Sequence, residues 1–161
     1  MRVLGVDASS TAVGWAVFED GQYEDSGVLV LQGPDWIERV KHLEAAIYLW
    51  LSKKPTMLER APERIDHVVY ERASGAHRNM RTDRILGAVE YVILGACRIR
   101  GVPYTLVSPM QVKQSGVCKS AQGQAMAEAL IGRPLDASHP GDEADAIGLA
   151  LTYNPAYHQA E

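Results

Sequence analysis

Val3-Leu4-Gly5-Val6-Asp7 is an apolar run closed by a single acid and followed by the small-residue turn Ala8-Ser9-Ser10-Thr11. A short apolar run bounded by a turn reads as a buried strand, so Asp7 stands at the strand's carboxyl end, where the chain leaves the sheet. Two further β-prone runs follow, Ala12 to Phe18 and Tyr23 to Leu31, parted by Glu19-Asp20-Gly21-Gln22. The Asp-Gly pair signals a tight hairpin, so three antiparallel strands are expected to open the domain.

The placement of an acid at a strand end recurs. Ile65-Asp66-His67-Val68-Val69-Tyr70-Glu71 has the composition of a strand, and Glu71 closes it. Between the hairpin and this strand, Asp35 is expected to cap a helix, with Glu38 completing a capping box. Trp36, Ile37, Val40, Leu43, Ile47 and Leu51 recur at helical spacing before Lys53-Lys54-Pro55 ends the run. A second helix is expected from about Arg81 to Cys97, with Ile85, Val89, Val92, Ile93 and Ala96 as its apolar stripe and Gly101 as its stop. Val102 to Val107 reads as a fifth strand, with Pro103 near its start, where a missing N–H is tolerated. Met110 to Gln114 has room for one helical turn. Lys119 to Ile131 and Asp142 to Tyr153 then read as the closing helices. The order is βββαβαβαα, an α/β domain over 1–153 with a polar tail at 154–161 and no internal repeat or linker.

At 161 residues, 47% of them hydrophobic and 22% charged, the chain has enough apolar material for one core. Apolar stretches such as Ala45 to Leu51 fall far short of a bilayer span, and Met1 leads almost directly into a strand. A soluble, cytoplasmic protein with no membrane partner is therefore expected. Cys97 and Cys118 form no C-x-x-C pair and are read as idle thiols. Trp15, Trp36 and Trp50 lie in amphipathic runs and are assigned to packing. The net charge of −4 speaks against coating nucleic acid by charge alone. Cations nevertheless cluster between Arg72 and Arg84, where Arg72, Arg78 and Arg81 mark a local phosphate-binding face.

A sheet can set the ends of distant strands side by side, so Asp7 and Glu71 are free to meet at one rim. In a helix beginning near Asp142, Asp142 and Asp145 share a face, while Glu143 points elsewhere. Each acid alone also has an ordinary structural reading: a turn former, a strand end, a helix cap and an exposed helical acid. Asp145 weighs against that reading, because Ala146-Ile147-Gly148-Leu149-Ala150 after it mark a buried helix, and a partly buried acid needs a partner. Four gathered carboxylates repel one another unless hard divalent ions such as Mg²⁺ or Mn²⁺ take their oxygens. The fitting chemistry is phosphodiester hydrolysis with two ions per active site.

With these segments in place, the sequence resembles the RuvC family of Holliday junction resolvases from Val3 to about Thr152. The resemblance rests on Leu4-Gly5-Val6-Asp7 with Gly14 in the next strand, Val69-Tyr70-Glu71, Gln111-Val112-Lys113-Gln114, and Asp142-Glu143-Ala144-Asp145-Ala146. It implies a ribonuclease-H-like fold, with helices flanking a mixed five-stranded sheet, and a homodimer cutting two symmetry-related strands of a four-way DNA junction. Asp7, Glu71, Asp142 and Asp145 match the family's acids, which hold Mg²⁺ or Mn²⁺. The resemblance also implies a basic residue near the scissile phosphate, Lys119 and secondarily Lys113. Two departures bear on substrate handling. The Lys113 to Lys119 segment is short and lacks a glycine-rich stretch, and Arg72-Ala73-Ser74-Gly75 stands where an aromatic often follows Glu71. Such divergence suits a phage or mobile-element member. His139, just before the last helix, is a second-rank metal or phosphate contact. Tyr91, Leu94 and Cys97 offer a spare helical face for a second copy. A branch-migration motor is not readable from the residues.

Three competing readings remain at this level. Asp7-Ala8-Ser9-Ser10-Thr11 before a hairpin also resembles the phosphate loop of actin-like ATPases, but the chain lacks their second nucleotide-binding half. A YqgF-type RNA nuclease shares the strand-end acids. A non-catalytic junction-binding protein would keep the fold without its turnover, against which the intact acids argue.

Overall fold

A computed structural model describes residues 1–52, 65–72 and 80–153. Its sheet contains β1 (Arg2–Ala8), β2 (Ala12–Glu19), β3 (Gln22–Val30), β4 (His67–Glu71) and β5 (Tyr104–Val107) in the spatial order β3-β2-β1-β4-β5. The first three strands are antiparallel, while β4 and β5 continue the sheet in parallel with β1. This is the expected mixed five-stranded sheet. The hairpin turn is as read: Asp20 and Gly21 both have positive φ, 49° and 81°, the type I′ pattern that suits strand twist.

Strand alternation then sorts every side chain to one of two faces. Leu4 and Val6 of β1, Val13 and Val17 of β2, and Val68 and Tyr70 of β4 enter one core. There they meet Leu43 and Ile47 of α1 (Trp36–Trp50) and Val89, Ile93 and Ala96 of α2 (Met80–Arg100). Ala16 and Phe18, of opposite parity, pack with Ala144, Ala146, Ile147 and Ala150 of α5 (Pro140–Thr152) and with Ala127 of α4 (Ala121–Ile131). Val3, Val69 and Val107 face Leu149 and Val112, the latter on the short α3 (Pro109–Gln114). Helices therefore cover both faces, and Asp7 and Glu71, in step with Gly5 and Val69, point to the α5 side.

The helix α5 is buried continuously from Glu143 to Ala150, so it lies against the sheet with hardly any solvent face. Small residues make this approach possible. A Cβ on Gly5 would stand 2.2 Å from the Ala146 carbonyl oxygen, and one on Gly14 would stand 2.0 Å from that of Asp142. Both obstacles are backbone, which cannot rotate away.

Several details differ from the sequence reading. Asp35 caps α1 by accepting from the Ile37 and Glu38 N–H groups, but the Glu38 carboxylate takes Lys41 Nζ at 2.7 Å instead of closing a capping box. The reciprocal box forms at Ser108 and Gln111, heading α3. Ile37 is exposed despite its helical spacing, because α1 buries only the stripe through Leu43 and Ile47. Pro103 lies outside β5, yet its carbonyl accepts the Val68 N–H at 3.0 Å. Cys97 is fully buried and so belongs to the core rather than to the spare face of α2; Cys118 is partly exposed, and both thiols are free. Trp15 and Trp50, both partly buried, pack against the core with their rings tilted at 47° and centroids 6.0 Å apart. The Lys53-Lys54-Pro55 stop and the tail at 154–161 lie outside the described residues. Among the described residues no helix is long and apolar enough to cross a membrane.

Gly14→Ala is expected to destabilise the fold by about 3 kcal/mol, the upper end of the overpacking range, since the new methyl meets backbone. Urea denaturation followed by circular dichroism measures it, with the midpoint falling and the slope unchanged.

Candidate active site

Two strand ends and one helix build the site. Val6 of β1 is in register with Tyr70 of β4, so the next residues along the parallel pair, Asp7 and Glu71, leave the sheet side by side. From above, α5 presents Asp142 and Asp145, one helical turn apart, to the same rim. Gly14 lets the Asp142 backbone settle on β2 one strand away, since Gly14 pairs directly with Asp7.

The charges respond to this crowding. Asp7 has its carboxyl pushed up from 3.8 to about 8, first by burial and then by Asp145, Asp142 and Glu71, with Lys119 partly offsetting them. Among the described residues none donates a hydrogen bond to this carboxylate. Glu71 is also raised, by burial and then Asp145, against the pull of Lys119 and Lys113. Asp142 is raised chiefly by burial, with His139 opposing.

Asp145 is 4% exposed and is held by a single residue at both oxygens. The Lys119 backbone N–H donates to Oδ1 at 2.7 Å, and Lys119 Nζ lies 3.4 Å from Oδ2. That carboxylate in turn is the main cause raising the Lys119 ammonium. Asp142 Oδ2 lies 3.2 Å from His139 Nδ1. His139 is the N-cap residue of α5 but makes no side-chain cap bond, and Pro140 opens the helix; Asp142 is therefore not the cap.

As these side chains stand, no three acid, His or Cys groups among the described residues are close enough to share one ion, because Asp145 and Asp142 are turned to Lys119 and His139. The donor chemistry nevertheless fits hard divalent cations. The four acids offer oxygen ligands in mutual repulsion, and one of them, Asp7, is a half-buried carboxylate with no donor among the described residues. A cation at this rim removes the penalty that raises Asp7.

The other sequence candidates divide. Lys113 and Lys119 join Glu71 and Asp145 in lining a cleft of about 570 Å³ between α3 and α4, floored by Val112 and Met126. Arg72 follows Glu71 on the exposed surface, its N–H donated to the Val107 carbonyl, and Arg81 is exposed in the first turn of α2. Neither is among the described residues lining the cleft. Arg78 lies outside the described residues.

The sequence reading set Glu143 aside, and the structure buries it completely. Its carboxylate accepts from Arg133 Nη2 at 2.7 Å, Ser26 Oγ at 2.6 Å and the Asp136 N–H at 2.6 Å. The available signal was an acid inside an otherwise apolar helix, which demands a partner as Asp145 does. Arg133 and Ser26, remote in sequence, carried no such mark.

No family model matches the chain. Curated relatives do. A protein of Streptomyces coelicolor described as crossover junction endodeoxyribonuclease RuvC is 35% identical over 166 residues, spanning 95% of this chain and 81% of the relative. Proteins of the same description from Brevibacillus brevis and a Parafrankia species are each 30% identical over 95% of this chain, covering 91% and 85% of their own lengths. Among solved structures, T. thermophilus RuvC in complex with Holliday junction substrate matches at 24% identity and TM-score 0.76, over 99% of this chain and 96% of that one.

The raised Asp7 sets a pH signature. Its folded form holds a proton more tightly than the unfolded chain, so between about pH 4 and pH 8 the metal-free protein loses stability as pH rises. Asp7→Asn in EDTA is expected to be more stable than wild type at pH 8 by more than about 1.4 kcal/mol, the worth of one pKa unit, with the gap closing toward pH 4. Thermal melts across that range measure it.

Proposed function

The chain belongs to the RuvC family of crossover junction endodeoxyribonucleases, and on that premise we propose that its junction-resolving nuclease activity is carried by Asp7, Glu71, Asp142 and Asp145 as ligands of two Mg²⁺ or Mn²⁺ ions. The observation that carries the assignment is the electrostatic convergence on Asp7: three acids from β4 and α5 all raise one half-buried carboxyl that has no donor among the described residues. Isolated structural acids do not gather in this way, whereas a cation site requires it.

In this reading the reaction is hydrolysis of a phosphodiester. A water oxygen forms a new bond to phosphorus as the bond to the leaving sugar oxygen breaks, and that oxygen takes up a proton. Bound divalent ions supply charge neutralisation and a more acidic water. The chain's own residues do the positioning. Asp7 and Glu71 set the sheet side of the site and the first turns of α5 set its roof. Lys119, 3.4 Å from Asp145, is within reach of a phosphate seated against the acids and balances its charge. Lys113, across the cleft, is the second phosphate contact. Arg72 and Arg81, with Arg78, are assigned to the backbone of the junction arms, where they position the DNA without reading its sequence.

Cutting two strands calls for two sites, and a homodimer supplies them. The exposed groove between α2 and the β5 edge, lined by Gly87, Tyr91 and Gly95 of α2 and Tyr104 of β5, with Tyr91 79% and Tyr104 43% exposed, is the surface we assign to the second copy.

Asp7→Asn and Asp145→Asn are each expected to lower the cleavage rate by at least about 10³-fold while changing junction affinity little, because phosphate contacts dominate binding. Gel assays on labelled four-way, Y-shaped and linear DNA, and on single-stranded RNA, with Mg²⁺, Mn²⁺ or EDTA, check this. Equal cutting of all DNA forms, or a preference for the RNA, overturns the junction assignment. In a separate test, Tyr91→Glu is expected to yield monomers by light scattering and to uncouple the two incisions, leaving nicked junctions as the main product.

A further inference from the structure

Glu143 is a fully buried carboxylate next to a proposed cation ligand, yet it faces away from the cleft. Its Oε1 accepts from Arg133 Nη2 and Ser26 Oγ, and its Oε2 from the Asp136 N–H. Arg133 extends the cluster. Its Nη2 also donates to the Ser26 carbonyl at 2.8 Å and the Tyr23 hydroxyl at 3.2 Å, and its Nη1 to the Pro134 carbonyl at 2.9 Å. The Asp136 carboxylate passes the connection on by accepting the His139 N–H at 3.1 Å, where α5 begins. One cluster, buried at Glu143 and half-exposed at Arg133, thus joins β3, the connection from α4 to α5, and the first turn of α5.

We infer that Glu143, held by Arg133, is a positioning residue that sets the rotation of α5 and so the placement of Asp142 and Asp145; this rests on the reading of those two acids as cation ligands. The geometry of a helix gives the reason. At about 100° per residue, Glu143 lies about 100° around the axis from Asp142 and about 160° from Asp145. It is therefore a pin on the side of the helix opposite the working acids. With side-chain tips about 6 Å from the axis, a rotation of about 10° moves a carboxylate by about 1 Å, and an error of that size is enough to lower a rate about 10²-fold.

On the working side α5 is held by Lys119 on Asp145 and by His139 beside Asp142; on the far side, among the described residues, the Glu143 cluster is the polar hold. The N-cap of α5 makes no side-chain cap bond, and the Gly14 and Gly5 contacts limit how closely the helix approaches the sheet rather than its rotation. Stability alone does not explain the cluster, since well-packed apolar replacements of buried ion pairs are commonly as stable as the pair.

The test uses the full-length protein and three variants: Glu143→Gln, Arg133→Lys, and Glu143→Leu combined with Arg133→Leu, which removes both charges together. Mn²⁺ binding to the DNA-free protein is read by electron paramagnetic resonance, alongside kcat, KM for a four-way junction and the melting temperature. The charge-free pair is expected to melt within a few degrees of wild type while binding Mn²⁺ about 10-fold more weakly. Its kcat should fall about 10²-fold at unchanged KM. Arg133→Lys should weaken Mn²⁺ about threefold, and Glu143→Gln, which keeps one acceptor oxygen for Arg133 and Ser26 but loses the one that takes the Asp136 N–H, should lower kcat by less than the charge-free pair does. Wild-type Mn²⁺ binding and kcat in a folded charge-free pair overturn the inference. If that pair does not fold, wild-type Mn²⁺ binding and kcat in Arg133→Lys do so. Asp145→Asn in the same titration separates the two readings: unchanged Mn²⁺ binding there refutes the cation-ligand assignment itself, whereas weakened binding with unaffected Glu143 and Arg133 variants refutes only the positioning role.

Discussion

The contact on which the rest depends is the approach of α5 to the first two strands. At Gly5 and Gly14 no side chain stands between sheet and helix, and the backbone carbonyls of Ala146 and Asp142 occupy the space a Cβ would need. Because the approach is set by main-chain atoms, it is not adjustable by rotamer changes. It brings Asp142 and Asp145 down to the rim where β1 and β4 deliver Asp7 and Glu71, and it leaves room for Lys119 only at the edge, where it takes both oxygens of Asp145.

Electrostatics then explain features that packing alone would not produce. A fold selected only for stability would not place a carboxyl whose pKa is pushed up to about 8 near the end of a central strand, beside three others. The basic neighbours moderate this charge without removing it, since Glu71 and Asp142 stay raised despite the ammonium groups of Lys119 and Lys113 and the nearby His139. The acids on the two sides of α5 are treated oppositely. Asp142 and Asp145 face the rim with one basic neighbour each, His139 and Lys119, while Glu143 is saturated by three donors in the interior.

Much of this was legible in the chain. Strand-end acids, the Asp-Gly hairpin and the helical spacing of the α2 stripe are local signals, and local signals survive folding. The pairing of Asp142 with Asp145 was legible because helix periodicity alone decides it. Features that depend on tertiary neighbours were not. Ile37 satisfies the α1 period but misses the core, and Cys97, read as part of a spare face, is core because α2 turns that side to the sheet. Glu143 was correctly read as pointing away from the other acids, but its partners lie 10 and 117 residues off, at Arg133 and Ser26, where no periodicity reaches. The family resemblance supplied the sheet's fold family and the roles of Lys119 and Lys113; composition did not contain them.

The dependence on α5 also has a kinetic side. The site joins Asp7, in the first strand, to Asp145, in the last helix, so nearly the whole chain separates its halves. Contacts at such separation are slow to form, because the chain must close a long loop before any of them contributes. During synthesis the hairpin and the α1–α2 face can form while the other face of the sheet still lacks its cover. Gly5, Ala16 and Phe18 are then open to solvent, and a nascent chain in that state presents an apolar sheet surface that other chains can bind. In the proposed site two of the four acids arrive only with α5, so until α5 docks both the acid cluster and the cover of this face of the sheet are incomplete.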